Sequence, residues 1–267
     1  NEDGSYLWDY KAETIEDVKS NSNYVFLTQY QQNPTDKDLS EKFFYSYDNE
    51  KHYRTGIEAT KGIYLDLSFD FNKIPVSCVV GQHDVNKNIF KKFDVILGTP
   101  KTLPNKSALE AVCTLIKQKY IDSGIFTSIQ IRVTGDPSGK GGGADMRDNH
   151  SFYTTIKREL NLVSSQFYIR SGHTTHIFSG EVSNKVYREL HAEQFIIASP
   201  LIENDILLAY PDKDRSLNEA KKELGLHILD ATRYLDDFWF CYHQGKFTSD
   251  MRIIGNYIEK LKNSYKP

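Results

Sequence analysis

The sequence predicts a mixed α/β domain. Three observations predict it. Short runs of strand length with period-two alternation follow one another from Gly62, a capped amphipathic helix comes after them, and strands then alternate with helices. Three strands joined by tight turns imply an antiparallel meander, and the alternation that follows implies crossover units beside it.

The elements are expected in this order. Residues 1–58 are polar and Tyr-rich, with helical stretches near Thr14–Ser20 and Val25–Gln31, the second stopped by Pro34. They read as a connector or arm without a core of its own. Gly62–Phe71 is the first strand, with Ile63, Leu65, Leu67 and Phe69 alternating with Tyr64, Asp66, Ser68 and Asp70. Pro75–His83 and Phe93–Leu97 are the second and third. Ser107 and Glu110 fit a capping box, after which Leu109, Val112, Cys113, Ile116 and Tyr120 recur at helical spacing until Gly124. Ser128–Thr134 is a fourth strand running into Gly135-Asp136-Pro137-Ser138-Gly139. Beyond it, Ser151–Asn161 and Val182–His191 read as helices. Gln166–Arg170, Phe195–Ser199 and Ile206–Tyr210 read as short strands. Leu217–Leu224 and Leu226–Tyr242 read as helices, and a last amphipathic stretch carries Ile253, Ile254, Tyr257, Ile258 and Leu261. The expected organisation is a connector (1–58), a main domain (59–245) and a C-terminal amphipathic helix (246–267).

Composition narrows the class. Of 267 residues, 39% are hydrophobic and 26% charged, an ordinary globular balance with ample chain for a core. No apolar run approaches the ~18 residues of a membrane span, and no secretory leader is expected. Cys78, Cys113 and Cys241 lie far apart, form no disulfide framework and point to a reducing compartment. The net charge of -3 gives no support to sequence-blind coating of DNA, yet leaves room for a basic groove around an acidic centre.

Three acidic residues stand out by position. Asp70 ends the first strand, Asp136 ends the fourth, and Asp230 lies on the late helix. In α/β sheets ligands bind beyond the strand ends. Carboxylates gathered there repel one another unless a cation is present, and hard oxygen ligands suit Mg²⁺ or Mn²⁺. Two such ions about 3.5–4 Å apart activate a water and stabilise the leaving oxygen of a phosphodiester. Each aspartate singly is an ordinary turn former or solvated charge. On the late helix, however, His227, Asp230, Arg233 and Asp237 form one polar stripe opposite Leu229 and Trp239.

Three stretches in register resemble the nuclease domain of tailed-bacteriophage large terminases: Asp70-Phe71-Asn72-x-x-Pro75, Thr134-Gly135-Asp136-Pro137-Ser138-Gly139, and His227-x-x-Asp230-Ala231-x-x-Tyr234-Leu235. Phe26-Leu27-x-x-Tyr30-Gln31-Gln32-Asn33-Pro34 resembles the stretch joining that family's ATPase and nuclease halves. The resemblance covers roughly residues 24–243. It implies a ribonuclease H-like fold and a metal-dependent endonuclease that cuts concatemeric viral DNA during packaging. Asp70, Asp136 and Asp230 would be the metal ligands for two Mg²⁺ or Mn²⁺ ions, with His227 as an auxiliary residue. It further implies double-stranded DNA as substrate, and an ATPase half, a portal and a small terminase subunit as partners. The setting would be the cytoplasm of an infected bacterium, with no membrane involved.

The family's Walker A loop is not found. Gly135 to Gly139 encloses three residues where four are needed, and Gly141 follows Lys140 where Ser or Thr is required, so no ATP site is expected. With Asn1 at its start, the chain is expected to be a C-terminal fragment. Gly139–Asn149 reads as a surface loop that could touch phosphate. His173-x-x-His176 lacks further ligands for zinc. Asp66 reads as an exposed strand residue in preference to a ligand. Asp205, Asp212 and Asp214 compete with Asp230 as third ligand. Lys91, Lys92, Lys140, Lys221, Lys222, Arg147, Arg158 and Arg170 are candidates for phosphate contact. Two other readings stay open: another ribonuclease H-like enzyme, such as a Holliday-junction resolvase or transposase core, and a non-catalytic assembly module.

Overall fold

The computed structural model describes residues 42–71, 74–84, 86–140, 151–173, 176–189, 195–209 and 226–242. The helices expected near Thr14–Ser20, Val25–Gln31 and Leu217–Leu224, and the final amphipathic stretch, lie outside the described residues.

Five strands make one sheet: β1 (Leu65–Asp70), β2 (Val76–Asp84), β3 (Ile89–Gly98), β4 (Ile131–Gly135) and β5 (Phe195–Ile197), in the order β4-β1-β2-β3-β5. β1, β2 and β3 pair antiparallel, whereas β4 joins β1 and β5 joins β3 in parallel. This is the expected meander with parallel strands on both sides. The helices are α1 (Asn49–His52), α2 (Ala108–Ile116), α3 (Phe152–Leu160), α4 (His176–Glu189), α5 (Pro200–Leu208) and α6 (Leu229–Tyr242).

Local signals account for the two helices on the first face. Ser107 and Glu110 form the capping box at the start of α2, which satisfies N–H groups the first turn leaves open. Ser151 caps α3, and Asn161 ends it in the left-handed conformation. α2 and α3 then bury Leu109, Val112, Cys113, Ile116, Ile156 and Leu160 against Leu65, Leu67, Phe69, Ile131 and Val133 of the sheet.

The opposite face carries a second core. Val79, Phe90, Phe195 and Ile197 meet Val182, Val186 and Tyr187 of α4 and Leu229, Leu235 and Trp239 of α6. Phe43, Phe44 and Tyr47 belong to this core too, so the chain ahead of β1 is packed from residue 43 onward. The bulge at Val80/Gly81 admits α6: a Cβ on Gly81 would stand 2.9 Å from both Trp239 and the Lys91 carbonyl.

With both faces covered, every residue of β1 is buried, and the expected wet face does not exist. Asp66 is a correction to the sequence reading. Its two oxygens accept from Arg132 Nε (2.6 Å) and Nη2 (2.8 Å), and Oδ2 also accepts from Trp239 Nε1 (2.8 Å). Lys91 and Lys92 are corrected likewise. Lys92 is completely enclosed and ion-paired with Asp236 of α6 at 2.6 Å, and Lys91 donates to Thr60 Oγ1 at 2.7 Å. Neither reaches a surface phosphate.

Two expected strands do not form among the described residues. Ser164–Gln166 is a 3-10 turn, and only a bridge from Phe167 to Val133 follows. The Gln166 amide donates to the carbonyls of Ser128 and Ile131, so a side chain occupies the edge that a ladder would need. Ile206–Leu208 belongs to α5 instead, which starts on Pro200; proline is well suited to a first helical turn.

Candidate metal site at the sheet end

β1 and β4 run parallel with Phe69 opposite Gly135, so they leave the sheet side by side. Asp70 is the last residue of β1 and Asp136 the first after β4. The Asp136 N–H donates to Phe69 O at 2.9 Å, fixing how the chain departs. Gly135 has φ +143, and a Cβ there would fall 2.3 Å from Phe69 O. Only glycine permits so close an approach in that conformation.

α6 supplies the third carboxylate. Ser68 Oγ donates to Ala231 O at 2.7 Å, and Ser77 Oγ donates to His227 O at 2.9 Å. These bonds pin the first turn of α6 over the end of β1, with Asp230 in that turn. A helix N-terminus favours a carboxylate there.

Two tyrosines register the gathering of charge. Burial pushes the Tyr234 phenol well above its usual range, and Asp230, Asp136 and Asp70 push it further while Arg233 opposes them. Burial does the same to Tyr153, followed by Asp136, Tyr234 and Asp70. The Tyr153 hydroxyl also donates to Asp136 O at 2.8 Å. By backbone position, Asp70 and Asp136 leave adjacent parallel strands, and Asp230 lies in the helix turn that Ser68 ties to β1.

Their partners differ. Asp136 accepts from the Ser138 N–H (2.8 Å) and Ser138 Oγ (2.7 Å), and His173 Nε2 lies 3.6 Å from its Oδ1. Asp230 is ion-paired with Arg233, which also contacts Ser179 of α4. Asp70 is almost fully buried. As these side chains stand, no three His, Cys, Asp or Glu among the described residues form a ready metal-holding group. The donor set is nonetheless all carboxylate, the chemistry that suits Mg²⁺ or Mn²⁺. Asp70, Asp136 and Asp230 are the residues that would hold such ions.

The remaining candidates are distributed as follows. His227 is exposed, just ahead of α6. Arg233 and Asp237 of the polar stripe are buried, and Asp237 pairs with Arg170. Arg158 pairs with Glu110 and Glu159, and Lys140 donates to Ile169 O at 2.9 Å. Lys221, Lys222, Arg147, Asp212 and Asp214 lie outside the described residues. Sequence reasoning overlooked His173 and Tyr153 as neighbours of Asp136. Tyr234 was in view only as part of a resembling stretch.

Asp205 has a different employment. Its Oδ2 accepts from the Ile228 N–H at 3.1 Å at the entry to α6. Burial raises its pKa to about 6 from the ordinary 3.8, against the pull of the Ile228 N–H. A folded value above the unfolded one means stability that is full below about pH 4 and is lost as pH rises through 6. Asp205→Asn keeps an acceptor but cannot ionise. Its stability relative to wild type is therefore expected to improve from about pH 4 to about pH 7.5. Urea unfolding at both pH values checks this, and an unchanged difference would contradict it.

No family model matches the chain, and no curated protein matches it by sequence. Among the described residues no helix is long and apolar enough to cross a membrane. Solved structures do match. The large terminase from a thermophilic bacteriophage, in complex with ATP-gamma-S, aligns at TM-score 0.56 and 12% identity, over 85% of this chain and 52% of that one. Another crystal form of the same terminase aligns at TM-score 0.57 and 10% identity, over 86% and 52%. The P22 large terminase nuclease domain aligns at TM-score 0.49 and 13% identity, over 72% and 89%. The chain thus spans about half the length of the thermophilic phage's terminase and shares its fold over that part: a mixed five-stranded sheet flanked by helices.

Proposed function

We propose that this chain is the metal-dependent endonuclease domain of a viral terminase large subunit, which cuts concatemeric double-stranded DNA during genome packaging. The placement of Asp70 and Asp136 at the ends of two neighbouring parallel strands, with Asp230 in the first turn of the helix that Ser68 ties to β1, supports this reading. Bound Mg²⁺ or Mn²⁺ would supply an activated water and stabilisation of the leaving oxygen. The three aspartates would hold the cations. Ser138 and Tyr153 fix the Asp136 carboxylate and main chain. His227 is an auxiliary group at the entry to α6. Lys140 and His173 stand on the Asp136 side, where a phosphate backbone would approach. Binding directed at phosphates weakens steeply with salt and reads little sequence. An ATPase half, a portal and a small terminase subunit are the proposed partners, and the host cytoplasm the proposed setting.

The test is supercoiled plasmid incubated with Mn²⁺, Mg²⁺ or chelator, using wild type and Asp136→Asn in parallel. Nicking by the wild type in either metal, and none with chelator or the variant, is the expected outcome. Nicking that survives both chelation and substitution removes the reading. A strong preference for branched over linear DNA would point to a resolvase instead.

A further inference from the structure

Arg233 lies one turn beyond Asp230 in α6 and is 2% exposed. One terminal nitrogen donates to Asp230 Oδ1 and the other to Ser179 Oγ of α4, while Nε has no hydrogen-bond partner among the described residues. Its charge is also felt by Asp237 and opposes the three aspartates at Tyr234. An enclosed cation therefore faces the acidic end of the sheet and is spent on Asp230. A guanidinium and a divalent ion compete for the same carboxylate lone pairs. Because Asp230 is nearly enclosed, water is a poor substitute for whichever partner leaves.

We propose that Arg233 is a positioning residue that acts as an internal counter-ion, so that a divalent cation engages Asp230 only by displacing the guanidinium. The proposal rests on the metal-site reading above. It makes cation binding stepwise: Asp70 and Asp136 engage first, and Asp230 joins as Arg233 lets go. The link through Ser179 makes α4 a participant in that exchange. Ion pair and metal binding are then mutually antagonistic, a negative coupling between two ligands of one carboxylate.

The test is Mn²⁺ binding to the full chain without DNA, by isothermal titration, for wild type, Arg233→Gln, Arg233→Lys and Asp70→Asn. Arg233→Gln is expected to bind Mn²⁺ about tenfold more tightly. Its melting temperature should fall in chelator and recover more on Mn²⁺ addition than that of the wild type. Arg233→Lys should stay near wild-type affinity. A folded Arg233→Gln with equal or weaker affinity overturns the proposal. Should that variant fail to fold, the Arg233 side-chain N–H signals of the wild type decide. Saturable movement of those signals with Mg²⁺ supports the exchange, and stationary signals while Mg²⁺ binds overturn it. If no protein binds Mn²⁺ and Asp70→Asn changes nothing, the metal-site reading itself fails, and this proposal with it.

Discussion

Replacing Asp70 by asparagine is expected to cut metal-dependent nicking on the order of 10³-fold, while leaving the fold intact. Charge stabilisation by bound metal contributes several kcal/mol to such a reaction, and about 4 kcal/mol corresponds to that factor. Asparagine matches the shape of Asp70 at the tightly packed end of β1 but is a poor ligand for a hard cation. In chelator the variant should melt at the same temperature as the wild type or above it, because asparagine keeps the shape of the side chain and removes a charge from an almost fully buried position. This sign separates a ligand from a structural aspartate. A structural role would lower the melting temperature and leave nicking per folded molecule unchanged. Initial nicking rates and thermal melts on the same samples provide the check; activity within about threefold of wild type would contradict the assignment.

Lys92→Met is expected to produce the largest loss of stability, about 3–5 kcal/mol. Lys92 and Asp236 are both wholly enclosed, 2.6 Å apart. Asp236 also accepts from Ser183 Oγ (2.8 Å) and the Tyr187 hydroxyl (3.3 Å), and the ammonium faces the Tyr187, Phe195 and Trp239 rings. Burial lowers the lysine pKa and raises that of the aspartate, and each charge opposes the shift of the other. Methionine fills the space but leaves Asp236 uncompensated. The double variant Lys92→Met with Asp236→Leu should recover most of the loss, since an apolar pair can replace a buried ion pair at little cost. Urea unfolding of the single and double variants beside wild type measures both effects. A single variant within about 1 kcal/mol of wild type would show that the pair contributes little.

These two experiments address opposite kinds of legibility. Asp70 and Asp136 were visible in the sequence because a carboxylate at the end of a strand is a positional signal, and β1 and β4 carried the alternation that marks strands. The caps of α2 and α3 were visible for a similar reason, since Ser107 with Glu110, and Ser151, act within one turn. Asp66 and Lys92 misled because alternation cannot distinguish a face turned to water from one covered by a polar-lined helix. Their partners are remote in the chain: Arg132 stands 66 positions from Asp66, and Asp236 reaches Lys92 only from α6. The Ile206–Leu208 run was apolar enough for either strand or helix, and Pro200 decided it. Arg233 was seen as part of a stripe, yet its pairing with Asp230 and Ser179 emerged only once α4 was packed beside α6.

Crystals soaked in Mn²⁺ and measured at the manganese absorption edge offer the most direct check on the joint site. The expected anomalous peak lies between Asp70 and Asp136, within about 2.5 Å of their oxygens, with Asp230 turned toward it. Bound manganese found only elsewhere, with these three carboxylates untouched, would contradict the assignment.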